Sequence, residues 1–249
     1  MVHNKLYSGI MMLLLTGSLF SLTACDSENN DPPFKPDSDT LYQIGTLSGL
    51  YEAKYDGLIT VNELRKYGDC GLGTFDKING EMVVLNDTVY QCLWDGSVVV
   101  ADAATTVPFA DVTTFNGDLT FTVPACENMA QLTQALNEHV APESIYVASL
   151  SGYFPLMKVR SELPQEKPYR PLVEVLKTDE RVFNYTNVTG TVVALYTPES
   201  MASETGKGWH LHFISADRKQ GGHVLQLSTS ASVSVNLDST PRFSMISTK

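Results

Sequence analysis

The densest group of residues able to do chemistry is Gly208-Trp209-His210-Leu211-His212-Phe213-Ile214-Ser215, with His223 a short way on. Alternation of His with Leu, Phe and Ile has the two-residue period of a β-strand. It predicts His210 and His212 on one face and Leu211 and Phe213 on the other. Ala216–Gly222, ending in two glycines, predicts a turn, and His223 opens the returning strand. If Ile214 lies opposite His223, all three imidazoles share one face, with His223 diagonal to His212. A register one residue different would point His223 away. Neutral imidazole is a borderline-soft ligand suited to Zn²⁺, and three protein ligands leave coordination positions open for a substrate. Such openness distinguishes a catalytic site from a closed structural one. The chain has five histidines. His3 falls in an apolar leader and His139 on a polar helix end, so neither reads as a ligand.

Several elements must position that hairpin. Leu41, Ile44, Leu47, Leu50 and Tyr51 recur at helical spacing, so Thr40–Tyr67 reads as helical in pieces. Thr60, with Glu63 three residues on, has the capping-box spacing for a second helix that Gly68 closes. From Gly71 the period changes to two. Glu81–Leu85, Thr88–Leu93 and Ser97–Ala101 are β-rich runs broken by Asn79-Gly80, Asn86-Asp87 and Asp95-Gly96, which predicts an antiparallel meander. Asp118–Val123 adds a strand and Met129–His139 a helix. Ile145–Arg160 reads as strands around a Ser151-Gly152 bend. Leu163–Pro171, with three prolines, reads as the join between an N-terminal domain (residues 41–162) and a C-terminal one (163–249). A short helix at Leu172–Leu176, strands at Val182–Tyr185 and Gly190–Tyr196, the histidine hairpin and a strand at Ser232–Leu237 follow. The fold class is α+β, dominated by strands.

Composition excludes several functions. Apolar residues make up 43% and charged residues 18%, which is ordinary for a globular chain. The net charge of −11 argues against a nucleic-acid partner, because phosphate contacts need clustered cations. The apolar run Ile10–Leu22 would rise roughly 20 Å as a helix, short of the ~30 Å hydrocarbon core, which fits a signal peptide better than a span. It ends in Leu22-Thr23-Ala24-Cys25, which resembles a bacterial lipoprotein box. The expectation is therefore a signal over residues 1–24, lipidation at Cys25, and an exported chain anchored to a membrane. Residues 25–40, polar and proline-rich, read as a flexible tether. Cys70, Cys92 and Cys126 remain, an odd number, so at least one thiol is free or pairs outside the chain.

Taken with their surroundings, these residues resemble the acetolactate decarboxylase family. The resemblance is carried by the segment Gly208–Phe213 with Asp217–Leu225. It extends to Gly68–Phe75, Asn79-Gly80-Glu81-Met82, Pro108-Phe109-Ala110, Lys158-Val159-Arg160-Ser161 and Gln165–Tyr169, in family order over residues 41 to 243. It implies decarboxylation of 2-acetolactate to acetoin and CO₂, with zinc held by His210, His212 and His223. Site roles for Glu81, Arg160 and Thr74 are implied with it. The implied fold has an N-terminal mixed sheet that pairs across a homodimer and a C-terminal barrel-like sheet carrying the metal. In that reaction zinc would act as electron sink, Arg160 would orient the substrate and Glu81 would relay a proton.

Two departures stand out. Cys70 replaces the Phe usual in the family motif, a packing change. The family also places a second glutamate near its C-terminus, whereas Leu237–Lys249 contains no Glu, and its one acid, Asp238, lies too early to match. Another carboxylate substitutes, or one suffices, or catalysis is impaired. The competing functions are accordingly a zinc-binding lipoprotein without catalysis and a zinc hydrolase using Glu81 as base.

Overall fold

A computed structural model of the protein describes residues 34–246. The expected signal peptide and Cys25 lie outside the described residues. The end of the expected tether does not: Phe34 sets its ring 5.1 Å from that of Tyr67, and the Asp37 and Asp39 carboxylates hold Arg242. Packing thus begins before the first strand.

Strand β1 (Thr40–Ile44) leads into helix α1 (Leu47–Tyr51). Leu41 and Ile44 therefore lie in a strand, not in the helix that their spacing suggested. Every residue of β1 is buried. Burial on both faces erases the alternation that would have marked it as a strand. After β2 (Ile59–Thr60) comes α2 (Val61–Leu64). Its capping box forms as expected: the Glu63 N–H donates to Thr60 Oγ1 at 3.2 Å and the Thr60 N–H to Glu63 Oε2 at 2.7 Å. The meander follows as β3 (Cys70–Thr74), β4 (Glu81–Leu85), β5 (Thr88–Cys92) and β6 (Val98–Val100). Asn86 and Asp87 both take positive φ, 51° and 62°, which twists the β4–β5 turn to match its strands. Then come β7 (Thr106–Val107), β8 (Phe109–Thr113), β9 (Leu119–Val123) and α3 (Met129–Asn137).

Two long strands frame the remainder. They are β10 (Tyr146–Glu162) and, after helix α4 (Leu172–Thr178), β11 (Glu180–Thr197). Both were expected to be broken. The ladder between them instead runs through Gly152 opposite Gly190, so the Ser151-Gly152 bend does not interrupt β10. The hairpin strands β12 (Gly208–Ser215) and β13 (Gly221–Ser228) come next, then β14 (Val233–Ser239) and β15 (Arg242–Ile246).

The strands make two main sheets. The first has the order β15-β1-β8-β3-β4-β5-β6, mixed because β15 runs parallel to β1. The second has the order β11-β12-β13-β10-β14-β9, and β10 also pairs with β11. Strands β9 and β10 precede Leu163 yet belong to the second sheet, while β15 returns to the first. The Leu163–Pro171 segment is a loop tied down by Gln165 and Arg170, both bonded to Asp179. The facing sides of the sheets share a core of Leu41, Leu72, Val83, Val193, Leu195 and Ile214. The opposite side of the second sheet, with Leu211 and Phe213, packs on Leu132 and Leu136 of α3. Cys70, Cys92 and Cys126 are buried free thiols.

Asp238 of β14 is fully buried, and its Oδ1 has no hydrogen-bond partner. Burial, with Asp118 and Asp39 nearby, pushes its carboxyl up to about 7. Between the ordinary value of 3.8 and about 7 the folded state holds a proton that the unfolded chain gives up. Stability from this group is complete below that window and falls as pH rises through it. Asp238→Asn is expected to melt several degrees above the parent at pH 8, with the gap closing towards pH 4. Thermal melts at both pH values check this; an equal offset at both would contradict it.

Candidate active site

The histidine hairpin forms with a register two residues from the one considered. Ile214 opposes Gly221, and His223 lies directly opposite His212 rather than diagonal to it. An even shift preserves the face, so the imidazoles still converge. His210 Nε2 is 3.0 Å from His223 Nδ1 and 3.1 Å from His212 Nε2, and the last two are 3.3 Å apart. His212 is 1% exposed, and its Nδ1 lies 2.7 Å from the Met82 carbonyl oxygen. A carbonyl only accepts, so Nδ1 carries the proton and Nε2 presents a bare lone pair. Burial holds all three rings below the usual imidazole range, His210 at about 4, and the Arg160 charge adds to the effect. They are neutral, the form that binds metal.

Three lone pairs crowded into one spot repel each other unless a cation sits among them. Nitrogens about 2.0–2.1 Å from a tetrahedral Zn²⁺ would stand about 3.3–3.4 Å apart, close to the separations seen. The Met82 carbonyl is the outer partner that fixes ring orientation and tautomer at such a site. The donor set fits a metal ion.

The rest of the site comes from three other strands. Opposite the Lys158–Val159 step of β10, β13 carries one extra residue, Leu225, a bulge that shifts the register by one and sets Arg160 opposite His223. Without it Arg160 would oppose Val224, so the bulge re-aims the guanidinium towards the imidazoles. Gly222 makes room for the close approach: its φ is 142°, and a Cβ there would lie 2.5 Å from the Arg160 carbonyl oxygen. Across the gap, the first sheet supplies Glu81 at the start of β4 and Thr74 opposite it on β3. Glu81 Oε2 is 3.4 Å from His212 Nε2, and Oε1 is 3.9 Å from Arg160 Nε. A glutamate after Asn79-Gly80 could have been a solvated turn residue, but Glu81 is 7% exposed. Burial raises its carboxyl well above the usual range, and the neighbouring Glu162 raises it further against the pull of Arg160. The Thr74 hydroxyl donates to the Gly80 carbonyl at 2.7 Å, bracing the turn that delivers Glu81.

All six expected site residues line one cavity. Its walls are completed by Leu47 and Leu50 of α1, Phe109 of β8, and Leu172 and Leu176 of α4. Apolar walls lower the local dielectric and strengthen every charge interaction inside. Sequence reasoning missed two acids. Glu162 lines the same cavity, and Glu180 lies 3.3 Å from Arg160 Nη1. The signal for Glu162 was present: two residues beyond Arg160 on a strand means the same face. Asp238 is in β14 and does not line this cavity. His139 stacks on Phe121 at 3.7 Å, outside the site, as its helix-end position suggested.

The family model described as alpha-acetolactate decarboxylase matches residues 41–248. A Methanosarcina mazei protein of that name is 40% identical over 191 residues, covering 76% of this chain and 66% of the relative. One from Bacillus subtilis is 35% identical over 185 residues, covering 74% of this chain and 72% of the relative. The crystal structure of alpha-acetolactate decarboxylase from Bacillus subtilis strain 168 is similar with a TM-score of 0.80 and 31% identity, covering 83% of this chain and 88% of that one.

Proposed function

The chain belongs to the alpha-acetolactate decarboxylase family, and from that premise we propose that it converts 2-acetolactate to acetoin and CO₂ with zinc held by His210, His212 and His223. The observation that carries the reading is the convergence of three neutral imidazoles on one cavity with Glu81 and Arg160. Zinc bound there would act as a Lewis acid, drawing electrons towards the substrate's oxygens as the carboxylate departs.

The side chains do the rest. Breaking the C–COO⁻ bond sends its electron pair into the adjacent ketone, leaving an enediolate and CO₂. Arg160 attracts the anionic substrate and orients it. Glu162 and Glu180 lie against Arg160 Nε and Nη1, so its hold on the departing carboxylate is weaker than that of a free guanidinium. That restraint is useful, since a contact that stabilises substrate and transition state equally does not accelerate the chemistry. Glu81 hands its proton to the carbon that lost CO₂. The enediolate C=C pair becomes the new C–H bond, the ketone re-forms, and water reprotonates Glu81. The apolar wall from α1 and α4 limits access of bulk water to that carbon.

The test is direct. Purified, metal-loaded protein is incubated with racemic acetolactate and acetoin is followed. Formation well above the spontaneous rate is expected, lost on chelation and restored by Zn²⁺. No acetoin above the spontaneous rate would overturn the reading.

Export and anchoring complete the proposal. They rest on the Ile10–Leu22 run and the Leu22-Thr23-Ala24-Cys25 box, which put the enzyme on the outer side of a membrane through lipid on Cys25. A homodimer rests on family resemblance, supported by the β6 edge of the first sheet, where Val99 and Val100 are exposed.

A further inference from the structure

Glu162 is a costly residue to place where it is. It is 4% exposed and lies opposite Glu180 across the β10–β11 ladder, where like charges destabilise. A buried carboxylate normally recovers its desolvation cost through bonds to the scaffold. The Glu162 carboxylate instead faces two groups of the cavity. It is 3.4 Å from Arg160 Nε, the same nitrogen that Glu81 Oε1 approaches at 3.9 Å, and its charge raises the Glu81 carboxyl. Its Oε1 and the Arg160 Nε are both buried without a well-aligned hydrogen-bond partner. The two-residue period of β10 puts Glu162 and Arg160 on the same face, and both line the cavity with the three histidines. A merely structural acid would not be expected to share a cavity wall and a guanidinium nitrogen with the side chains assigned to substrate orientation and proton delivery.

We propose that Glu162 is a positioning residue for the decarboxylation site, its carboxylate seated between Arg160 and Glu81 so that the proton of Glu81 reaches one face of the enediolate carbon. The inference rests on the decarboxylase reading. Glu162 itself exchanges no atom with the substrate. Its charge beside Glu81 fixes the direction from which the proton arrives, and its contact with Arg160 fixes the guanidinium beside the substrate. The new C–H bond creates the stereocentre of acetoin, so the facial choice is written into the product.

The experiment compares zinc-loaded wild type, Glu162→Ala and Glu162→Gln on racemic acetolactate. It reads kcat, KM, zinc stoichiometry and the enantiomeric excess of the acetoin. For Glu162→Ala, kcat is expected to fall about 10- to 100-fold, the scale of a small misplacement of reacting groups. KM should stay within about threefold of wild type, because the loss falls on the chemical step. Zinc stoichiometry should be unchanged, while the enantiomeric excess falls as solvent protonates both faces. Glu162→Gln keeps the shape and one oxygen acceptor, and should recover much of both kcat and enantiomeric excess. If Glu162→Ala fails to fold, Glu162→Gln decides the matter: an intermediate kcat and a reduced enantiomeric excess support the role. Wild-type kcat and enantiomeric excess in the variants, beside an active parent, would overturn the inference. An inactive zinc-loaded parent would instead overturn the decarboxylase reading.

Discussion

Glu81→Gln is expected to lower kcat by about 10²–10⁴-fold while leaving bound zinc at its parental stoichiometry. The substitution preserves shape and removes the proton that the carboxyl would deliver. Among the described residues Glu81 is the carboxylate of the site that lies within 3.4 Å of a histidine nitrogen, and it is also close to Arg160. Glu162 is adjacent but sits on the opposite sheet, its Oε1 3.4 Å from Arg160 Nε. Chelated and zinc-restored samples of parent and variant separate loss of chemistry from loss of metal. Steady-state rates with elemental analysis are the measurement. A variant that retained parental kcat would show that the proton comes from elsewhere, and the role given to Glu81 would have to be withdrawn.

His210→Ala is expected to lose both metal and activity. The His210 ring nitrogen is the hub of the triad, 3.0 Å from one partner and 3.1 Å from the other. Two remaining imidazoles make a poor zinc site. Loss of an outer-shell partner alone typically weakens metal affinity about 10–100-fold, and a direct ligand should cost more than that. Acetoin formation should drop to near the spontaneous rate, and dialysed protein should contain little zinc. His139→Ala is the control, since that ring stacks on Phe121 well away from the cavity and should leave both quantities alone. Stoichiometric zinc and full activity in His210→Ala would remove the basis for the metal site.

The residues themselves announced a good part of this protein. The alternation of His with Leu and Phe placed His210 and His212 on one face of a strand, because side-chain direction has a strict two-residue period. Thr60 and Glu63 announced their helix because a capping box is made within four residues. Asn86-Asp87 announced its turn because positive φ is a local property of those two positions. The β1 strand was not legible, since burial on both faces removes the alternation that a pattern reader needs. The return of β15 to β1 joins residues about two hundred positions apart, and no local spacing records it.

For the site the division is the same. Local period decided which side chains share a strand face. The docking of the two sheets decided which of them meet. Glu81 became a buried partner of His212 only because β4 lies against β12, and the bulge at Leu225 of β13 set Arg160 opposite His223. Glu162 counted as one acid among 28 until packing removed water from it and set it between Arg160 and Glu81. Residue type and spacing are local covenants of the backbone, whereas desolvation and the company a charge keeps arise from contacts between distant segments, and these exist only once the chain has folded.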